Sequence, residues 1–72
     1  MSKSDLSNRI RELRFTHGEM TQQELADRAG CTRQTILLLE HNRYSPSLTL
    51  AFRIAKVFGM TVDEVFAYEG DD

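Results

Sequence analysis

Apolar residues along this chain recur at helical spacing in short blocks, each preceded by a residue suited to cap a helix. Leu6, Ile10 and Leu13 fall at i, i+4, i+7, which predicts a first helix over about Asp5 to Thr16, with Ser4 as its cap and Gly18 as its stop. Thr21 followed by Glu24 has the form of a capping box, and Met20 with Leu25 the form of a hydrophobic staple. A second helix is therefore expected from Gln22 to Ala29, with Leu25, Ala26 and Ala29 facing inward and Gly30 in the left-handed position that ends it. A third follows from Thr32, its cap, to about His41, held to the core by Ile36 and Leu39.

Pro46 and Ser47 suit the start of a fourth helix, whose buried face is broad: Leu50, Ala51, Ile54, Val57 and Phe58, closed by Gly59. Thr61 with Glu64 forms another capping box and opens a short fifth helix carrying Val62, Val65 and Phe66. Ala67, Tyr68 and Glu69 are expected as a short strand, before a polar, acidic end at residues 69–72. The pattern predicts an all-α fold, a compact five-helix bundle forming one domain over residues 1–72, with no linker or repeat inside it.

The second and third helices form the most informative unit, since two short helices joined by a tight glycine turn are the layout of a helix built to enter a DNA major groove. Arg33, Gln34 and Leu38 are predicted to point away from the core. An arginine bonds guanine bidentately, a glutamine bonds adenine, and a leucine meets the methyl group of thymine.

From Arg11 to Gly59 the match to one family is ordered: Arg11 to Arg14 as Arg-Glu-Leu-Arg, then Thr21-Gln22-x-Glu24-Leu25-Ala26, Gly30, Arg33-Gln34-Thr35-Ile36, Glu40, Ser45-Pro46-Ser47-Leu48, and Ile54 to Gly59. The chain resembles the phage-repressor and Cro superfamily of helix-turn-helix transcription regulators, in its short stand-alone type. That resemblance implies a lambda-repressor-like bundle that needs no cofactor, binds double-stranded DNA as a homodimer at a near-palindrome, and most often represses. It implies base contacts from Thr32, Arg33, Gln34 and Leu38, and phosphate contacts from Gln22, Thr35, Arg43 and Ser47. It also implies a structural ion pair between Arg14 and Glu40, and a dimer surface from Val62, Val65, Phe66 and Tyr68. For Gln22 the chemistry agrees, because an amide side chain at the first turn of a helix can bind a phosphate together with backbone N–H groups.

Composition narrows the alternatives. At 72 residues the chain is near the size at which one core is marginally stabilising, so a partner subunit is expected to help. The net charge of −2 hides an asymmetry: residues 1–62 hold all nine Lys and Arg against six acids, while Asp63, Glu64, Glu69, Asp71 and Asp72 lie in the last ten positions. A mildly basic reading domain is thus joined to an acidic end expected to face away from phosphate. Arg9, Arg11 and Arg28 read as solvated helix faces. Cys31 reads as a small buried hydrophobe, and His17 and His41 lack further ligands at metal-binding spacing. No apolar run is long enough for a signal peptide or membrane span, so the expected location is the cytoplasm. An enzyme is not expected either, since no nucleophile-base pair, glycine-rich phosphate loop or metal cluster is present. Leu37, Leu38 and Phe15 depart from the family pattern and motivate a rival expectation, an antitoxin-like module that binds another protein; Phe15 is expected to form a second apolar surface with Tyr44.

Overall fold

The short helices bury their apolar stripes against one another, and the two ends of the described segment are tied by a pair of strands. The computed structural model describes residues 5–68. Its elements run β1 (Leu6–Asn8), α1 (Ile10–Thr16), α2 (Gln22–Ala29), α3 (Arg33–Glu40), α4 (Leu48–Val57), α5 (Val62–Val65) and β2 (Phe66–Tyr68). The helices pack into a bundle, and the two strands form a small antiparallel sheet beside it with Leu6 opposite Tyr68, Ser7 opposite Ala67 and Asn8 opposite Phe66.

Local signals account for most boundaries. At α2 the Thr21 hydroxyl accepts the Glu24 N–H at 3.0 Å, while the Glu24 carboxylate accepts the Thr21 N–H at 2.8 Å, which satisfies two donors that the helix itself leaves unpaired. Gly30 ends that helix at φ +77, a left-handed conformation that costs glycine nothing. A β-carbon there would also lie 3.3 Å from Nη1 of Arg53, so the α2–α3 turn is crowded as well as tight. Ser47 caps α4 by accepting the Leu50 N–H at 3.1 Å. The core collects Ile10 and Leu13 from α1, Leu25, Ala26 and Ala29 from α2, and Ile36 and Leu39 from α3. Leu50, Ala51, Ile54 and Phe58 complete it from α4 and its end, while Val57 is only half-buried.

The first helix is shorter than its apolar spacing predicts. It starts at Ile10, and Leu6 lies in β1 instead of on a helix face. The expected cap, Ser4, lies outside the described residues. The cause is a pairing between distant parts of the chain: residues 6–8 supply hydrogen-bond partners to the segment leaving α5, and the Arg9 N–H donates to the carbonyl of Val65 at 2.9 Å. The second strand sits one residue earlier than expected, at Phe66–Tyr68, and Glu69 lies outside the described residues.

Asn8 replaces the expected cap. Its Oδ1 accepts the Ile10 N–H at 3.0 Å, and its Nδ2 donates to the Leu39 carbonyl at 2.8 Å and to Asn42 Oδ1 at 3.2 Å. One side chain thereby starts α1, satisfies a carbonyl at the end of α3 and holds β1 against both. Replacing Asn8 by Ala removes these three bonds, although the Leu39 carbonyl still accepts the Asn42 N–H at 3.0 Å, and is expected to cost about 2 kcal/mol. In urea unfolding this appears as a lower midpoint with an unchanged slope.

Candidate nucleic-acid interface

The outward face of α3 is defined by what its other face buries. Ile36 and Leu39 are 0% and 1% exposed, which leaves Gln34, Leu37, Leu38 and His41, at i, i+3, i+4 and i+7, along the opposite side. Arg33 and Gln34 are exposed in its first turn, and Leu38 is 36% exposed farther along. Leu37 is half-buried. The amino-terminal end is held by Thr32, whose hydroxyl accepts the Thr35 N–H at 3.2 Å and lies 3.0 Å from the Thr35 hydroxyl. Thr35 is half-buried at the edge of the outward face, with its hydroxyl already engaged.

Beyond α3 the chain turns back sharply, with Asn42 at φ +57 and the Arg43 N–H donating to the Leu38 carbonyl at 2.9 Å. The exposed Arg43 side chain is therefore carried near the carboxyl end of the same helix. Ser47 is exposed too, and because its oxygen accepts in the cap, its hydroxyl proton remains to be donated.

Behind this surface, Arg14 and Glu40 form a close pair. Arg14 Nε donates to Glu40 Oε2 at 2.7 Å and Nη2 donates to Oε1 at 3.2 Å, the forked geometry that suits guanidinium and carboxylate. The two side chains are 11% and 8% exposed. Nη1 of Arg14 donates to the Met20 carbonyl at 2.8 Å, so the same guanidinium also holds the chain just ahead of α2. Gln22 is not a freely solvated amide: its Nε2 donates to Glu40 Oε1 at 3.1 Å. Sequence reasoning assigned Gln22 and Glu40 separate roles, and only the packing of α2 against α3 brings them together. A cleft of about 320 Å³ opens over this network, lined by Arg11, Arg14, Gln22, Glu40 and His41. With the Glu40 charge countered by Arg14, the cleft does not repel an anion as an isolated carboxylate would.

The expected dimer residues separate. Val65 and Phe66 are 1% and 7% exposed and belong to the chain's own core, because the α5–β2 segment folds back over α4 and β1. Val62 is half-buried and Tyr68 exposed, so only these two remain at the surface. Phe15 is 55% exposed, with the guanidinium carbons of Arg11 and Arg14 5.9 and 5.8 Å from its ring centre, and Tyr44 is exposed as well. Cys31 is half-buried, and burial pushes its thiol above the ordinary cysteine range, so it is protonated at neutral pH. Among the described residues, no helix is long and apolar enough to cross a membrane, and no three His, Cys, Asp or Glu side chains group as a metal site requires.

Known proteins share both sequence and geometry with this chain. The helix-turn-helix family matches residues 10–65. A helix-turn-helix-type transcriptional regulator of Methanocaldococcus jannaschii is 43% identical over 67 residues, which span 93% of this chain and 100% of that protein. Another such regulator, from Methanothermobacter thermautotrophicus, is 52% identical over 63 residues, or 86% of this chain and 90% of its own length. Among solved structures, the restriction-modification controller protein C.AhdI of Aeromonas hydrophila superposes with a TM-score of 0.71 at 28% identity, covering 78% of this chain and 80% of that one.

Truncating Arg14 to Ala should be among the most damaging single changes, since it leaves the Glu40 carboxylate and the Met20 carbonyl without the guanidinium. We expect a loss of about 3 kcal/mol or more, read from the urea midpoint or the shift in Tm.

Proposed function

This chain belongs to the Cro/C1-type helix-turn-helix family of DNA-binding transcriptional regulators, and we propose that it is a repressor that binds a near-palindromic operator as a homodimer. The observation that carries this reading is the division of α3, which exposes Arg33, Gln34 and Leu38 while Ile36 and Leu39 lock its other face into the core. A helix held on one side and polar at its exposed amino-terminal end meets the requirement for reading base edges in a major groove.

In this reading Thr32, Arg33, Gln34 and Leu38 face the bases. Gln22, Thr35, Arg43 and Ser47 contact phosphates, fixing the register of α3 without themselves reading sequence. Repression follows from occupying promoter DNA, and the protein works in the cytoplasm with that DNA.

The dimer surface shifts from the one the sequence suggests, because Val65 and Phe66 are committed to the core. Among the accessible apolar side chains are Leu48 and Phe52 on α4, 72% and 59% exposed. Phe52 lines a groove of about 530 Å³ together with Ala55, Met60 and Val62. A second copy of this chain fits that groove, since a two-fold contact uses one patch twice and lets Phe52 serve both as wall and as the inserted side chain. Charge agrees with such pairing: Lys56 lines the groove and Asp63 follows Val62, so each copy offers the other an opposite charge.

A second reading rests on the apolar Leu37 and Leu38 on the outward face of α3, which suit a protein partner as well as a thymine methyl. Selection from a random duplex library at physiological salt separates the two. We expect an inverted repeat with half-sites about one helical turn apart, and no enrichment by the Arg33→Ala, Gln34→Ala double variant. Absence of enrichment by folded wild-type protein would overturn the stand-alone regulator. For the dimer, Phe52→Glu should sediment as a monomer at concentrations where the wild type is dimeric and lose preference for the full repeat over a half-site. A dimer that survives that substitution would place the interface elsewhere.

A further inference from the structure

The Arg14–Glu40 pair has the geometry of more than a structural tie. We infer that Glu40, held by Arg14, is a positioning residue for DNA binding, which orients the amide of Gln22 so that it offers an N–H to a backbone phosphate. This rests on the proposed phosphate contact of Gln22.

A glutamine amide has two faces of opposite character, a carbonyl that repels phosphate and an NH₂ that binds it, and rotation by half a turn exchanges them. An ionised carboxylate only accepts hydrogen bonds. With Glu40 Oε1 at 3.1 Å from Gln22 Nε2, one amide hydrogen is committed to Glu40 and the second is directed elsewhere. The rotation that would present the carbonyl in its place sets two acceptors against each other and is disfavoured. Glu40 is in turn fixed by both of its oxygens, through Arg14 Nε at 2.7 Å and Nη2 at 3.2 Å, and Arg14 is fixed by the Met20 carbonyl at 2.8 Å. The chain of bonds therefore runs from α1, through the end of α3, to the first residue of α2. Gln23 and Gln34, the neighbouring amides on these helices, have different settings: Gln23 bonds Asp27 on its own helix at 2.9 Å, and Gln34 is exposed on the outward face of α3.

The cleft lined by Arg11, Gln22 and His41 beside this network is wide enough for a phosphate group. An amide that is already oriented loses less rotational freedom on binding than one that must be ordered, which is the way preorganisation raises affinity.

A double-mutant cycle in DNA affinity tests the inference, using the selected operator, Gln22→Ala, Glu40→Gln and the double variant, each checked for folding by circular dichroism at the temperature of the measurement. Glu40→Gln leaves one acceptor oxygen where the carboxylate had two, so the Arg14 fork and the Gln22 amide can no longer both be satisfied. Each single variant is expected to weaken binding about tenfold, with the double variant no weaker than either. Each should also lower the slope of log affinity against log salt by about 1, as loss of one phosphate contact requires. A purely structural Glu40 gives the contrary result, in which its effect adds in full to that of Gln22→Ala and leaves the salt slope unmoved. That outcome overturns the positioning role while leaving the Gln22 contact intact. If Gln22→Ala binds as tightly as the wild type, the Gln22 contact itself fails, and the inference with it.

Should Glu40→Gln not fold, NMR of the wild-type protein decides. The Gln22 side-chain amide is expected to be rigid on the nanosecond timescale in the free protein and the Gln34 amide mobile. Equal mobility of the two would overturn the inference.

Discussion

The hydrogen-bonded pair of Arg14 and Glu40 is the interaction on which the arrangement of the first three helices depends. Arg14 lies near the end of α1, Glu40 is the last residue of α3, and the guanidinium also binds the carbonyl of Met20 immediately ahead of α2. Three helix ends converge on one planar side chain. Desolvating two charges is expensive, and a well-packed apolar pair of similar size would serve stability as well. What the ion pair adds is direction: its bonds have defined angles, so α1, α2 and α3 are held in one relative orientation, which an apolar contact leaves free to slide.

Such directional ties matter in a chain this short. A chain of 72 residues has a small core, and each of its helices is too short to be stable alone. The structure compensates at the helix ends. Thr21, Thr32 and Ser47 each accept a backbone N–H at the start of a helix, Glu64 accepts the Thr61 N–H ahead of α5, and Asn8 ties the start of α1 to the end of α3. Two of these caps adjoin the proposed DNA surface, since Gln22 follows Thr21 and Arg33 follows Thr32. Ordering the helix termini for folding also orders the backbone and side chains that the proposed phosphate and base contacts use.

The distribution of charge fits a surface that recognises specific DNA more than one that adheres to any duplex. Residues 1–62 carry a modest basic excess, and one of the few acidic groups near the proposed phosphate contacts, Glu40, is neutralised by Arg14. With so small a basic excess, the proposed discrimination depends on the exposed turn of α3 being held accurately. The Gln22–Glu40 bond extends that order to the side of the surface proposed to meet phosphate.

Much of this was legible in the sequence, because helix caps, left-handed glycines and apolar periodicity are local. Thr21 with Glu24 set the start of α2, Gly30 its end, and Ile36 with Leu39 the buried side of α3, each through atoms within a few residues of one another. The order of these elements carried the family resemblance, and with it the pairing of Arg14 with Glu40. Contacts between distant segments were beyond such reasoning. The spacing of Leu6, Ile10 and Leu13 suits a helix, yet residues 6–8 form a strand because residues 66–68 come to lie beside them. Val65 and Phe66 looked available for a partner, but the folding back of α5 places both in the core. Gln22 lies eighteen residues from Glu40, and no local pattern links a helix-initial amide to a helix-final carboxylate. Local chemistry therefore determined the body of each helix and which face of it is apolar. The tertiary packing alone decided which polar side chains meet, because that depends on the angles at which the helices cross.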